Sequence, residues 1–198
     1  MEMLVKKYQQ KYRKVREEMD RWDELQSRLL RQFRNASSII ERLEVLQNLK
    51  NYGALKSIVG VREAILGKQM SSLEVILQSL KDTMQEFHAI DMSFEKILRD
   101  GKHLANGASR PLTEIQKQQR IGIQPSIADC IEGLEKIYGM HHSEYHFKLS
   151  IVSSLMSKNP PPSASDFGAL QQLLTDQPHI PKEEVQSIFD IIFAEELC

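Results

Sequence analysis

The stretch YQQKYRKVREEMDRWDELQSRLLRQF, Tyr8 to Phe33, decides the fold. Its apolar residues fall at Tyr8, Tyr12, Val15, Met19, Trp22, Leu25, Leu29 and Phe33, in steps of three and four. Such steps place them along one side of an α-helix, with charged and amide side chains on the other. The frame runs on through Ala36, Ile40, Leu43 and Leu46. A helix that long spans roughly 65–70 Å, more than a compact domain's diameter. Its stripe therefore needs cover from a hairpin partner or another subunit.

Asn51-Tyr52-Gly53 is expected to end this helix, with a short helical turn from Leu55 to Val59 after it. A second long pattern follows: Ile65, Met70, Leu73, Ile76, Leu77, Leu80, Met84, Phe87, Ile90, Phe94, Ile97 and Leu98, expected to stop at Asp100-Gly101. Residues 1–101 thus read as a long helical hairpin. Residues 102–126 lose periodicity and hold Gly107, Pro111, Gly122 and Pro125, the composition of a mobile connector. A third long helix is expected over residues 127–157, packed on the hairpin, with its stripe at Ile127, Ile131, Leu134, Tyr138, Tyr145, Leu149, Val152 and Leu155. Ser126 can cap its start, and Asp129 stands where a capping box places its acidic or amide partner. Residues 158–198 read as a linker around Pro160-Pro161-Pro162 and two short helices, about Asp166–Thr175 and Pro181–Glu196. Strand alternation and solenoid-length repeats are missing. The expected fold is all-α: an elongated hairpin or bundle of two long N-terminal helices, a third long helix and two short C-terminal ones, one helical domain in all.

The 198 residues are enough for a real apolar core, and a net charge of −1 gives no general reason to expect nucleic-acid binding. Charge is uneven, though. The first fifty residues are rich in Lys and Arg, whereas the chain after Lys158 keeps only Lys182 against Asp166, Asp176, Glu183, Glu184, Asp190, Glu195 and Glu196. Such polarity suits internal pairing or docking on a charged partner, and equally two solvated faces. Two cysteines, Cys130 in an apolar helical run and Cys198, offer neither a disulfide framework nor a thiolate metal site. The start is charged, without a signal-peptide core, and no apolar run approaches the roughly 20 residues of a membrane span, so a soluble intracellular chain is expected.

Chemistry is sought first in GMHHSEYH, Gly139 to His146. His142 and His146 lie four apart and share a helix side, as two zinc ligands should. The metallopeptidase arrangement also needs Glu directly after the first His, where this chain has Ser143. Glu144 comes one residue late and points about 160° away from His146 around the axis. His88, His103 and His179 lie in other segments without ligand-like spacing. His141 falls near the apolar stripe, where an imidazole can be buried at a helix seam. The expectation is a seam histidine with two flanking ones, and the competing reading is a metal-dependent hydrolase centred on His142 and His146. GVREAILGKQ, Gly60 to Gln69, fails as a phosphate loop: its spacer is too long and Gln69 stands where Ser or Thr is required. Neighbouring carboxylates such as Glu17-Glu18 and Glu183-Glu184 point apart on their helices. No catalytic, cofactor-binding or metal-ligating residue is assigned, and the chain is expected to be no enzyme. The long stripes speak instead for association, through a groove for another helix, with a self-sufficient monomeric bundle as the open alternative.

The segment PSIADCIEGLEKIYGMHHSEYHFKLSIVSSL, Pro125 to Leu155, resembles the most recognisable stretch of the AIRIM family of ribosome-maturation factors. DRWDELQSRLL around Trp22, Gln47-Asn48-Leu49, Lys68-Gln69-Met70 and the C-terminal VQSIFDIIFAEEL fall in the family's order. The resemblance covers nearly the whole chain, although only Pro125–Leu155 is specific. It implies a non-enzymatic adaptor subunit of a two-ring AAA ATPase of the spermatogenesis-associated, AFG-like class. Its companion would be a small helical protein of the cyclin-dependent-kinase-interacting type. The machine so formed removes shuttling assembly factors from cytoplasmic pre-60S particles so that they are recycled, and a chromatin and replisome role is attached to it as well. Cytoplasm and nucleus are the implied compartments. Contact with pre-60S particles would be indirect, without membrane attachment or direct sequence-specific nucleic-acid binding. The positions carried over, for partner binding or helix packing, are Trp22, Asn48, Leu49, Lys68, Gln69, Pro125, Ser126, Asp129, Leu134, Tyr138, Tyr145, Lys148 and Leu149. This chain departs from the family in the middle of the third helix, where Gly139, His141, His142 and Glu144 replace a more basic run. A self-associating coiled-coil scaffold or tether is the alternative from the residues alone.

Overall fold

The computed structural model describes residues 2–107, 112–120, 122–156 and 164–196, and the Pro160–Pro162 linker and Cys198 lie outside them. The fold is all-α, with two long N-terminal helices packed together. Helix α1 is Glu2–Gln47 and α2 is Val61–Asn106, joined through a 3-10 segment, Leu49–Ser57. After them come α3 (Glu114–Gln118), α4 (Ile127–Met156), α5 (Ala164–Asp176) and α6 (Lys182–Ile192), the last followed by a 3-10 turn at Ala194–Glu196. No described helix is long and apolar enough to cross a membrane.

Several boundaries differ from the sequence reading. The turn expected at Leu55–Val59 is a longer 3-10 segment that begins directly after the first helix. Helix α2 does not stop at Asp100-Gly101 but continues to Asn106. Gly101 is a close-approach residue, because a Cβ there would meet Leu134 Cδ1 at 2.8 Å. The stretch expected to be a mobile connector holds α3, whose N-terminus is closed by a reciprocal capping box between Thr113 and Gln116. Pro181 is the N-cap of α6 and not its first helical residue.

The chain divides into two compact units. One comprises residues 1–24, 87–147 and 177–198, the other residues 25–86 and 148–176. In the first unit the tyrosines of α1 are core residues whose hydroxyls still find partners. Tyr8 donates to the Gly101 carbonyl at 2.7 Å and Tyr12 to the Cys130 carbonyl at 2.9 Å. Burial drives both phenols far above their usual range, so they remain donors. It also pushes the Cys130 thiol up to about 12, which leaves it unreactive. Tyr12 meets Phe189 of α6 edge to face, and Arg16 lies over the same Phe189 ring.

The second unit is built on Leu29, Phe33, Leu80, Val152, Phe167 and Leu174, all buried. Amide side chains tie its helices together. Gln26 donates to the Leu174 carbonyl at 2.6 Å and accepts from Lys148 Nζ at 2.8 Å. Gln32 donates to Ser79 Oγ at 2.7 Å and accepts from Thr83 Oγ1 at 2.9 Å.

Candidate interaction surface

Two features stand out, a polar stripe inside the bundle and an uncovered length of hairpin. The polar stripe belongs to α4. Its buried face runs through Cys130, Leu134, Ile137, His141, Glu144, Lys148, Ile151 and Leu155, at alternating steps of four and three. Of the stripe expected from the sequence, Ile127, Leu134, Val152 and Leu155 are buried, whereas Ile131, Tyr138, Tyr145 and Leu149 are only half-buried. The stripe departs from the buried face only in the middle of the helix, where three polar residues occupy core positions and each has a partner there.

His141 is buried, and its Nδ1–H donates to the Ile137 carbonyl at 2.8 Å; a carbonyl can only accept, which fixes the proton on that nitrogen. Its ring meets Trp22 edge-on at 5.0 Å and lies 4.6 Å from Phe94, while Trp22 meets Phe87 at 4.6 Å. The indole N–H is satisfied by Gln177 Oε1 at 2.8 Å, at the turn between α5 and α6. Glu144, fully buried, accepts from the backbone N–H of His179 at 3.2 Å and from its Nδ1–H at 3.0 Å, in that same turn. Trp22 and Glu144 thus hold one turn from two helices. Gln177, at φ 46°, is the only described residue other than glycine with a positive φ, and the Trp22 N–H holds its side chain.

His142 and His146 are placed otherwise. The His142 Nδ1–H donates to the buried carboxylate of Asp91, 3.1 Å from Oδ2, and His146 sits edge-on to the His142 ring at 4.5 Å. Among the described residues no group of three His, Cys, Asp or Glu side chains is placed to hold a metal ion. GMHHSEYH therefore divides between the core, which takes His141 and Glu144, and the surface, which keeps His146.

The uncovered length lies in the second unit. From Ile40 to Ser79 the one buried residue is Tyr52. The stripe positions Leu43, Leu46, Ile65, Leu73, Ile76 and Leu77 are half-buried, as two helices covering only each other would leave them. Met70, expected in the stripe, is exposed, and so are Val45, Leu49, Leu55, Ile58, Val59 and Val75. Scattered apolar residues need no explanation, but a run of them at one end of a hairpin makes a candidate interaction surface.

The carried-over residues fall on both features and on neither. Trp22, Leu134 and Lys148 are buried. Ser126 and Asp129 close the start of α4: Ser126 N–H donates to Asp129 Oδ2 at 2.9 Å and Asp129 N–H to Ser126 Oγ at 3.0 Å. Pro125, before them, is buried, whereas Tyr138, Tyr145 and Leu149 are half-buried along the helix. Asn48 caps the 3-10 segment by accepting from Lys50 N–H at 3.0 Å, and Leu49 is exposed beside it. Lys68 is exposed and Gln69 half-buried on the uncovered part of α2. Sequence reasoning missed Glu144, Asp91 and Gln26. The steps from Ile137 to Ile151 through 141, 144 and 148 were the available signal, of which the residues alone gave only His141 as a seam position.

The fold and its surface define an all-α hairpin protein with a uniformly helical core and an uncovered apolar end. The chain belongs to a family of known setting: the sequence pattern described as "Ribosome biogenesis protein C1orf109-like" matches residues 2–197. It is the family suspected from Pro125–Leu155. By that membership it is a ribosome biogenesis protein. No curated protein matches the chain.

Proposed function

We propose that the chain is a non-enzymatic docking subunit in ribosome biogenesis, and that the uncovered hairpin from Ile40 to Ser79 is the part it offers. The observation that carries this reading is the near absence of burial over those forty residues, Tyr52 alone excepted, in a segment rich in Leu, Ile and Val. A helix pair of that kind gains stability when a third or fourth helix covers its seam.

The machine it serves is, in this reading, a two-ring AAA ATPase of the AFG-like class that strips shuttling assembly factors from cytoplasmic pre-60S particles for recycling to the nucleus. A second small helical protein accompanies it. The resemblance of Pro125–Leu155 and the family assignment support this finer reading. The ATPase performs the mechanical work; this chain supplies surface. Cytoplasm and nucleus are its compartments. Affinity purification of the tagged chain from its native cells, with mass spectrometry of what accompanies it, tests the proposal. Recovery of a two-ring ATPase and a small helical protein, with pre-60S factors at lower yield, is expected. Recovery of bait alone contradicts it.

The same uncovered hairpin favours one further reading, a self-associating scaffold in which two copies cover each other. Light scattering of the purified chain separates the two: a concentration-dependent dimer without affinity for the ATPase would establish the scaffold.

A further inference from the structure

The end of the hairpin displays apolar side chains on a backbone that its own hydrogen bonds hold. Tyr52 is buried, and its hydroxyl donates to the Leu46 carbonyl at 2.9 Å. Asn51 Nδ2–H donates to the Val45 carbonyl at 2.7 Å, and the Arg62 guanidinium to the Gln47 carbonyl at 3.3 Å. Gly53, at φ 51° and ψ −127°, reverses the chain in a conformation that side-chain-bearing residues rarely adopt. On this frame Leu49, Leu55 and Ile58 are about half-exposed and Val59 is 100% exposed. A preset display of this kind loses less conformational entropy on binding than a loop that must first be ordered.

Charge within the tip segment has one sign. Between Val45 and Arg62 stand Lys50, Lys56 and Arg62, with no Asp or Glu; the nearest acids, Glu44 and Glu63, lie just outside. We propose that this tip is a knob that docks into an apolar pocket of a protein partner rimmed by aspartate and glutamate. The apolar side chains supply the buried centre of the contact, and the lysines meet the acidic rim, setting register and encounter rate. A second copy of the chain is a poor occupant, since a symmetric tip-to-tip contact would set Lys50, Lys56 and Arg62 against their equals. Nor can the chain's own acidic α6 serve in trans, because its apolar side chains Val185, Ile188, Phe189 and Ile192 are already buried. RNA, the other partner that ribosome biogenesis suggests, is disfavoured as well. Tyr52, the tip's one aromatic ring, is buried, so no ring there is open to stack on a base.

This inference rests on the docking-subunit reading, and the test separates the two. The full chain carrying the photo-reactive residue benzoylphenylalanine in place of Val59 is expressed in its native cells and irradiated, and the crosslinked peptides are sequenced. The expected product joins Val59 to one protein, at a site flanked by Asp and Glu. The double reversal Lys50→Glu with Lys56→Glu, two exposed positions, is expected to cut its yield by about tenfold or more, while Lys50→Arg with Lys56→Arg keeps it. Unchanged far-UV circular dichroism of the reversed variant shows that the fold survives. A crosslink to nuclease-sensitive material or to a second copy of the chain overturns the proposal. A protein crosslink indifferent to the charge reversal overturns it too but leaves the docking-subunit reading standing. No crosslink from Val59, nor from Val45, Met70 or Val75, overturns both.

Discussion

The carboxylate of Glu144 accepts two hydrogen bonds from one residue, the backbone N–H and the Nδ1–H of His179, 35 positions further along the chain. A fully buried carboxylate is costly unless such donors meet it, and here they belong to the turn that launches α6. Glu144→Ala removes the acceptor and leaves the His179 amide without it. The expected loss is about 1–3 kcal/mol in denaturant unfolding. Amide hydrogen exchange at Ile180 and the first turn of α6 should rise more than exchange elsewhere; an even rise across the chain would show that Glu144 does not brace this turn.

Trp22 joins the same turn from α1, packed edge-on against Phe87 and His141 with its N–H on Gln177. Trp22→Ala should cost about 3–5 kcal/mol, the price of removing a buried indole. Trp22→Phe keeps a ring but drops the hydrogen bond, so a smaller loss of about 1 kcal/mol is expected for that bond. Trp22 is the only tryptophan, so circular dichroism and not fluorescence reports the midpoint. A loss below about 1 kcal/mol for the alanine variant would contradict the seam placement.

Two glycines of α4 should respond with opposite signs. Gly139 is exposed, and a Cβ there meets nothing within 4 Å, so Gly139→Ala is expected to stabilise the chain by about 0.5–1 kcal/mol. At Gly133 a Cβ would overlap the Tyr12 hydroxyl and approach Ile188 Cγ2 at 2.8 Å. Gly133→Ala should therefore destabilise, by about 1–3 kcal/mol. Thermal midpoints of the two variants that moved in the same direction would refute this contact pattern.

The cap of α4 predicts an acid-sensitive contribution. Burial alone would raise the Asp129 carboxyl, but hydrogen bonds from Ser126 and the Arg120 guanidinium outweigh it and hold the group below its ordinary value. A folded-state pKa lower than the unfolded one, about 3.9, means stability fully present above the unfolded value. That stability is lost as pH falls through the folded value. The midpoint difference between wild type and Asp129→Asn should be constant above about pH 5 and shrink below about pH 4. A difference that grows on acidification would reverse the assignment.

The legible parts of the sequence were those where apolar spacing and burial agree. Tyr8, Tyr12, Val15, Trp22, Leu29 and Phe33 occupy the core that their steps assign. The all-α fold and the capping box at Ser126 and Asp129 were legible for local reasons. What was illegible is tertiary. Glu144 and Lys148 hold core positions because donors and acceptors from distant segments, His179 and Gln26, meet them. No local rule announces such partners. Gly101 read as a stop, yet its missing side chain lets Leu134 and Tyr8 come close while the helix continues. The hairpin showed the converse fault: Met70 lies in the helical pattern yet is exposed, and pattern alone does not say whether anything covers it.

Residues 40–79 stand uncovered in the free chain and, in the proposed function, are covered in its complex. Hydrogen exchange measured on the isolated chain and on the complex purified from native cells tests this directly. Faster exchange is expected over Ile40–Ser79 than in the core around Trp22 and Phe87 of the free chain, with strong added protection of the hairpin in the complex. Equal exchange of this segment in the two states would mean that partners bind elsewhere, and the docking surface would have to be sought on another face.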